Sequence, residues 1–236
     1  YDHMTPPSLP GKELVDVGCG TGTLAARASA MGARVTAVDP DPGMLEFTRK
    51  AASGATLLAG SVPDLPFAAG TFEAVAANFV VNHVGDPRAA AADLTRVCAP
   101  GGAVGVTIWP SGPSALNSLW ADVVRASGAV TPPPSHLPVE KDFERTAEGL
   151  ARLLTEAHLS EVRATTLKWD FRIAPDELWA GPAGGVAGIG KIVVSQTPSM
   201  QASMKQHYDR ITARMIRNGE VVLHAEAVMA VGRKYS

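Results

Sequence analysis

Cysteine is scarce in this chain: Cys19 and Cys98 are the only two in 236 residues. So low a count excludes a disulfide framework. No Cys-x-x-Cys pair and no cysteine–histidine cluster offers ligands at metal-binding spacing, so no metal is expected. Thiols used this way suit a reducing compartment, and a cytoplasmic location is expected. Charge is sparse and balanced, with 21 Lys and Arg against 23 Asp and Glu, for a net charge of −2. The basic residues are scattered, which excludes a polyanion-binding surface, and no nucleic-acid module is present. No apolar run approaches the ~18 residues that span a bilayer, and the chain does not open on a signal-peptide pattern. It opens on Tyr1 instead of Met, with little sequence ahead of the first strand, so part of a natural N-terminal segment is expected to be missing. These absences leave a small molecule as the expected partner and give no oligomeric state.

What the chain does have is a regular alternation. Strand signals at Leu14 to Gly18, Arg34 to Asp39, Thr56 to Ala59, Phe72 to Asn78 and Ala103 to Trp109 are interleaved with helical patterns. The helices run at about Thr23 to Met31, Pro42 to Ala52 and Pro87 to Cys98, and Pro100-Gly101-Gly102 then turns the chain. Such alternation predicts an α/β fold, a doubly wound and mostly parallel sheet with helices on both faces. The second half is less regular. A proline-rich stretch over 111 to 138 encloses one helical segment, Ser114 to Ala126, and Glu144 to Ala157 has apolar residues at helical spacing. Val162 to Ile173 and Glu220 to Val231 alternate like strands and flank a helical insertion. They predict an antiparallel strand at the late edge of a seven-stranded sheet. One domain is expected over 1–236, with a cofactor-binding core at about 12–110 and cap segments at about 111–138 and 175–218.

The chemistry concentrates at Asp16-Val17-Gly18-Cys19-Gly20-Thr21-Gly22 and at Asp39. A buried strand, a glycine turn, a helix and a second strand ending in a carboxylate form a nucleoside-binding half-unit. Glycines let a ligand approach the backbone, and a carboxylate has two oxygens for the two hydroxyls of a ribose. A helix N-cap is the other reading of Asp39, since Asp41 and Pro42 follow it. A dinucleotide fingerprint would need a glycine where Thr23 stands.

Five linked stretches resemble a class I S-adenosylmethionine-dependent methyltransferase of the small-molecule, type 11-like branch. Val15 to Gly22 resembles the first motif, and Val38-Asp39-Pro40 with Met44-Leu45 the second strand end and its helix. Gly60 to Phe67 resembles the third-strand loop, Phe72 to Val75 with Asn82-His83-Val84 the fourth strand and its exit, and Arg96 to Gly102 the turn into strand five. The resemblance implies a Rossmann-like fold and S-adenosylmethionine as cofactor. It places Gly18, Cys19, Gly20 and Gly22 beside the methionyl and ribose parts, Asp16 toward the methionyl amine and Asp39 on the ribose. Pro40 and Met44 would pack on the adenine, Ser61 and Val62 would sit at its edge, and Asn78 would join them from strand four. The family usually has Asp where Ser61 stands.

Asn82, His83, Trp109 and His136 are the acceptor-side candidates. His83 is the candidate general base, because an imidazole titrates near working pH; packing at the next helix start is its alternative role. His224 on the last strand is a weaker histidine candidate. Gly185 to Lys191 fits the start of a phosphate loop, but Ile192 stands where a Ser or Thr is needed and no strand precedes it. The expected reaction is SN2 methyl transfer to a small, partly hydrophobic metabolite, and the composition suggests secondary metabolism. Two rival readings stay open: a nicotinamide-dependent oxidoreductase, and a member of the fold that binds the cofactor without transferring methyl.

Overall fold

The computed structural model describes residues 9–132 and 137–235. The chain divides into two compact units. The first holds the described residues up to Ser111, Leu137–Leu167 and those from Ala227 onward. Here β1 (Glu13–Val17), β2 (Arg34–Asp39), β3 (Thr56–Ala59), β4 (Phe72–Asn78) and β5 (Cys98–Ile108) alternate with α1 (Thr23–Ala30), α2 (Pro42–Ala51) and α3 (Pro87–Val97). α5 (Ala147–Glu156), β6 (Leu159–Ile173) and β8 (Glu220–Lys234) follow later in the chain. The strand order is β3-β2-β1-β4-β5-β8-β6. β1 pairs in parallel with β2 and β4, and β4 with β5, whereas β8 runs antiparallel to β5, Ala103 facing Arg233 and Ile108 facing Val228. The expected mostly parallel Rossmann-like sheet is therefore present.

The reason lies in the apolar content of the strands. Leu14, Val15 and Val17 of β1 and Ala74, Val75 and Ala77 of β4 are buried on both sheet faces, the condition of a parallel sheet covered by helices. Side-chain caps start α2 and α3. Asp41 accepts from Gly43 N–H at 2.7 Å and Asp86 from Ala89 N–H at 3.0 Å, each followed by proline at the first helical position. Capping of α2 thus falls to Asp41, and Asp39 is left free of that task.

One expected boundary is corrected. Pro100-Gly101-Gly102 does not precede the fifth strand but lies inside it, since β5 begins at Cys98. Phe72 pairs with Cys98, and Ala74 already pairs with Ala103, so the extra residues bulge out. Gly102 is required there: a Cβ would lie 2.8 Å from Ala99 O and 2.9 Å from Glu73 O.

The second unit holds the described part of 112–136 together with Lys168–Glu226. It comprises α4 (Ala115–Ser127), α6 (Pro175–Ala183), α7 (Ala187–Val194), α8 (Pro198–Thr212) and β7 (Ile216–Arg217), which pairs antiparallel with the start of β8. Asn218 and Gly219, both with positive φ, make the two-residue turn between them. Its core is Leu119, Trp120, Val123, Met204, Tyr208, Val221 and Leu223. Trp120 and Tyr208 stack at 5.3 Å, and Tyr208 donates its hydroxyl to Pro175 O at 2.7 Å. The Gly185 to Lys191 run follows α6 and enters α7, so it lacks the strand that a phosphate loop needs. Among the described residues no helix is long and apolar enough to cross a membrane, and no group of His, Cys, Asp or Glu is placed to hold a metal ion.

Candidate functional site

At the carboxyl ends of the first unit's strands a cavity of about 290 Å³ is lined by Val17, Gly18, Asp39, Pro40, Gly60, Ser61, Val62, Phe79, Val80, His83 and Val84. Open α/β sheets bind ligands at this edge. Its centre is built by the first two strands and the turn between β1 and α1. Gly18 N–H and Cys19 N–H both donate to Val38 O, at 2.7 and 3.0 Å, which folds the turn back over the end of β2. Asp39 holds the arrangement: Oδ2 accepts from Gly20 N–H and Oδ1 from Asp41 N–H, both at 2.9 Å. Each oxygen keeps a further lone pair for an outside donor.

Two glycines are dictated by close approach. A Cβ on Gly18, whose φ is +67°, would lie 2.5 Å from Val80 Cγ2. On Gly22, with φ +84°, it would lie 2.7 Å from the Cα of Thr48 in α2. Both positions combine a left-handed backbone with no room for a side chain. Thr48 completes the turn. Its hydroxyl donates to Gly20 O at 2.9 Å, which leaves the Cys19 thiol to donate to Thr48 Oγ1 at 3.3 Å. Burial pushes the Cys19 thiol up to about 11. Cys19 is thus a packed hydrogen-bond donor at neutral pH, not a thiolate.

Asp16, one residue before Val17, is buried and does not itself line the cavity, and it is the electrostatic oddity of this end of β1. It is 1% exposed, and neither carboxylate oxygen makes a hydrogen bond of ordinary geometry. Burial pushes its pKa up to about 7; the Ala25 backbone N–H opposes the rise and the nearby Asp39 charge adds to it. A buried acid without a partner is costly unless a cation or a donor meets it. It suits the amine of a methionyl group, while Asp39 suits a ribose and Gly20, where a Cβ would meet nothing within 4 Å, leaves backbone open to a ligand. These residues fit S-adenosylmethionine.

Other expected residues are placed elsewhere. Asn78 Oδ1 accepts the Thr107 hydroxyl, and Asn78 does not line the cavity. Met44, half-buried in the first turn of α2, does not line it either. His83 does. Partial burial and the Arg145 charge hold its pKa below the usual imidazole value. Asn82 Nδ2 donates to His83 Nε2 at 3.3 Å, an arrangement that places the proton of the neutral ring on Nδ1. Asn82 Oδ1 is buried without a partner. Trp109 is 42% exposed and stacks on Phe79 with ring centroids 4.0 Å apart. His224, in the second unit, pairs with Asp170 at 3.0 Å, and His136 lies outside the described residues.

Sequence reasoning missed Val80; Val17, Gly60 and Val84 lay within its motifs and Phe79 on the exit of strand four, without a role of their own. Phe79 carries φ +59° and its N–H donates to both Thr107 O and Thr107 Oγ1, at 3.0 and 3.1 Å. The apolar run Phe79-Val80-Val81 just past a strand end was the available signal. The backbone reversal that turns Phe79 and Val80 to the cavity was not visible in it.

Comparison with known proteins agrees with this geometry. Residues 15–106 match the family model described as methyltransferase domain. A malonyl-[acyl-carrier protein] O-methyltransferase of Serratia marcescens is 34% identical over 117 residues, covering 49% of this chain and 46% of that protein. A demethylmenaquinone methyltransferase of Renibacterium salmoninarum is 36% identical over 95 residues, covering 40% of each. The chain thus spans less than half the length of these curated relatives. The crystal structure of the YcgJ protein from Bacillus subtilis shares the fold with a TM-score of 0.62 at 16% identity, covering 98% of this chain and 94% of that one. Motif order, sheet order and family model converge on the same stretch, and over residues 15–106 the chain matches a methyltransferase domain.

Proposed function

We propose that this chain is an enzyme that transfers a methyl group from S-adenosylmethionine to a small, partly hydrophobic acceptor. The observation that carries the reading is the Asp39 carboxylate, fastened to the glycine turn through Gly20 N–H at the mouth of β1 and β2. When bound, S-adenosylmethionine supplies a sulfonium-borne methyl group for SN2 displacement. The protein's own residues do the rest. Asp39 orients the ribose, Asp16 meets the methionyl amine, and Pro40, Ser61 and Val62 receive the base. Val17, Val80, Val84 and Phe79 keep water from the cavity, which favours a step in which positive charge is lost.

His83 is held neutral at pH 7 by its lowered pKa, and its Nε2 takes the proton of an acceptor hydroxyl that displaces the 3.3 Å bond from Asn82 Nδ2. Asn82 and Trp109 stand on the acceptor side. The apolar lining supports a partly hydrophobic acceptor. A relative named demethylmenaquinone methyltransferase supports the same reading. Two free, buried thiols support a cytoplasmic location.

Calorimetry with S-adenosylhomocysteine and with NADPH tests the cofactor. The first alone is expected to bind, and binding of the dinucleotide alone would return the chain to the oxidoreductase reading. Mass spectrometry with hydroxyl, amine and quinol acceptors tests the transfer. Tight cofactor binding without a product heavier by one methylene in any of them would favour a non-transferring member of the fold.

A further inference from the structure

The loop that carries Ser61 and Val62 is fixed from outside the cavity. At its start, Gly60 N–H donates to Asp39 O at 3.3 Å. At its end, two side chains of α3 reach it. Asp93, 8% exposed, accepts Leu65 N–H on Oδ2 at 2.7 Å. Arg96 donates from Nε to Asp93 Oδ1 at 2.9 Å, and its two terminal nitrogens donate to Leu65 O at 2.7 Å and Phe67 O at 2.5 Å. Between these anchors Asp64 has φ +85°, a left-handed backbone that a non-glycine residue keeps only where its surroundings over-determine it. Neither Arg96 nor Asp93 lines the cavity, whereas Ser61 and Val62 do.

We propose that Arg96 and Asp93 are positioning residues for the base of the cofactor, fixing the adenine-edge loop through Leu65 and Phe67. The proposal rests on the S-adenosylmethionine reading of the cavity. Its physical basis is the shape of guanidinium. A planar fork serves one carboxylate and two carbonyls in fixed directions, and the point charge of lysine cannot serve all three together. The anchors act on the loop under the base and leave the ribose and methionyl contacts of Asp39 and Asp16 alone.

The test compares two ligands on one protein. S-ribosylhomocysteine carries a hydroxyl where S-adenosylhomocysteine carries the adenine, so the change in the ratio of their dissociation constants between wild type and variant reads what the loop contributes to holding the base. Both are measured on the full chain, the weaker by ligand-observed NMR at millimolar concentration. Arg96→Lys is expected to lower that ratio about tenfold, and Asp93→Asn, which keeps an acceptor for Leu65 N–H, to lower it less. A variant that is merely partly unfolded weakens both ligands by the same factor, because only the folded fraction binds, and leaves the ratio intact. An unchanged ratio in both variants overturns the proposal. If the wild-type chain binds neither ligand, the cofactor reading fails and the proposal falls with it.

Discussion

Asp16 gives the sharpest residue-scale expectation. Its carboxyl titrates near 7 in the folded chain against 3.8 for an unperturbed aspartate. Between those values the folded state holds a proton that the unfolded chain has released, so stability falls as pH rises from about 4 to about 7. Asp16→Asn removes that loss. Its stability by urea denaturation should nearly equal wild type at pH 4 and exceed it at pH 8, by on the order of 4 kcal/mol if the full shift is expressed. Cofactor binding should show the opposite preference. A cationic amine draws out the carboxylate, so affinity for S-adenosylhomocysteine should rise with pH through about 7 in the wild type and be flat and weaker in the variant. His83 is tested by acceptor type. His83→Ala should lower kcat about 10²–10⁴-fold with a hydroxyl acceptor, leave an amine acceptor nearly unaffected, and leave S-adenosylhomocysteine affinity unchanged. Equal losses with both acceptors would assign His83 to packing. Asp39 was legible as a candidate because it closes an apolar strand, and Asp16 because it lies near the end of one, just ahead of the glycine turn. That Asp16 lacks a partner was not legible, since this depends on which backbone donors surround it.

At the scale of elements, the glycine turn joins three of them. Gly22 is the N-cap of α1, and its missing Cβ is the space into which the Thr48 backbone of α2 packs. Gly22→Ala should therefore destabilise the chain by roughly 2–4 kcal/mol in a denaturant titration, from left-handed strain and a backbone clash together. A loss under 1 kcal/mol would mean that α2 shifts freely. The first four strands match their predicted ranges within a residue; β1, β2 and β4 do so because their Val, Leu and Ala runs are buried, whereas β3 is exposed or half-buried along its length. The start of β5 does not match, since Pro-Gly-Gly has the composition of a turn. Only the neighbouring strand, whose Phe72 takes Cys98 as partner, draws it into the sheet as a bulge.

At the scale of the whole molecule, the chain folds as two compact units, each with a core of its own. The second core rests on Tyr208, whose ring lies 5.3 Å from Trp120 and 5.2 Å from Trp179. Tyr208→Ala empties that position, at a cost of about 3–5 kcal/mol. Hydrogen exchange should then show protection lost in α4 and α8 while amides of β1 and β4 keep theirs. Uniform loss along the chain would show that the two units unfold together. Helical periodicity pointed to α4, but the pairing of Trp120, Trp179 and Tyr208 spans nearly ninety residues and left no local pattern.

The sequence by itself determined the cofactor-binding half. Strand polarity, the glycine spacing and the strand-end Asp39 are local features, and local sterics and burial force their consequences. The tertiary structure decided what depends on distant partners. It left Asp16 without a hydrogen bond of ordinary geometry and turned Phe79 and Val80 to the cavity. It also set Arg96 of α3 under the loop that carries Ser61. Those outcomes arise where segments far apart in the chain meet, and no window of sequence contains both sides of the contact.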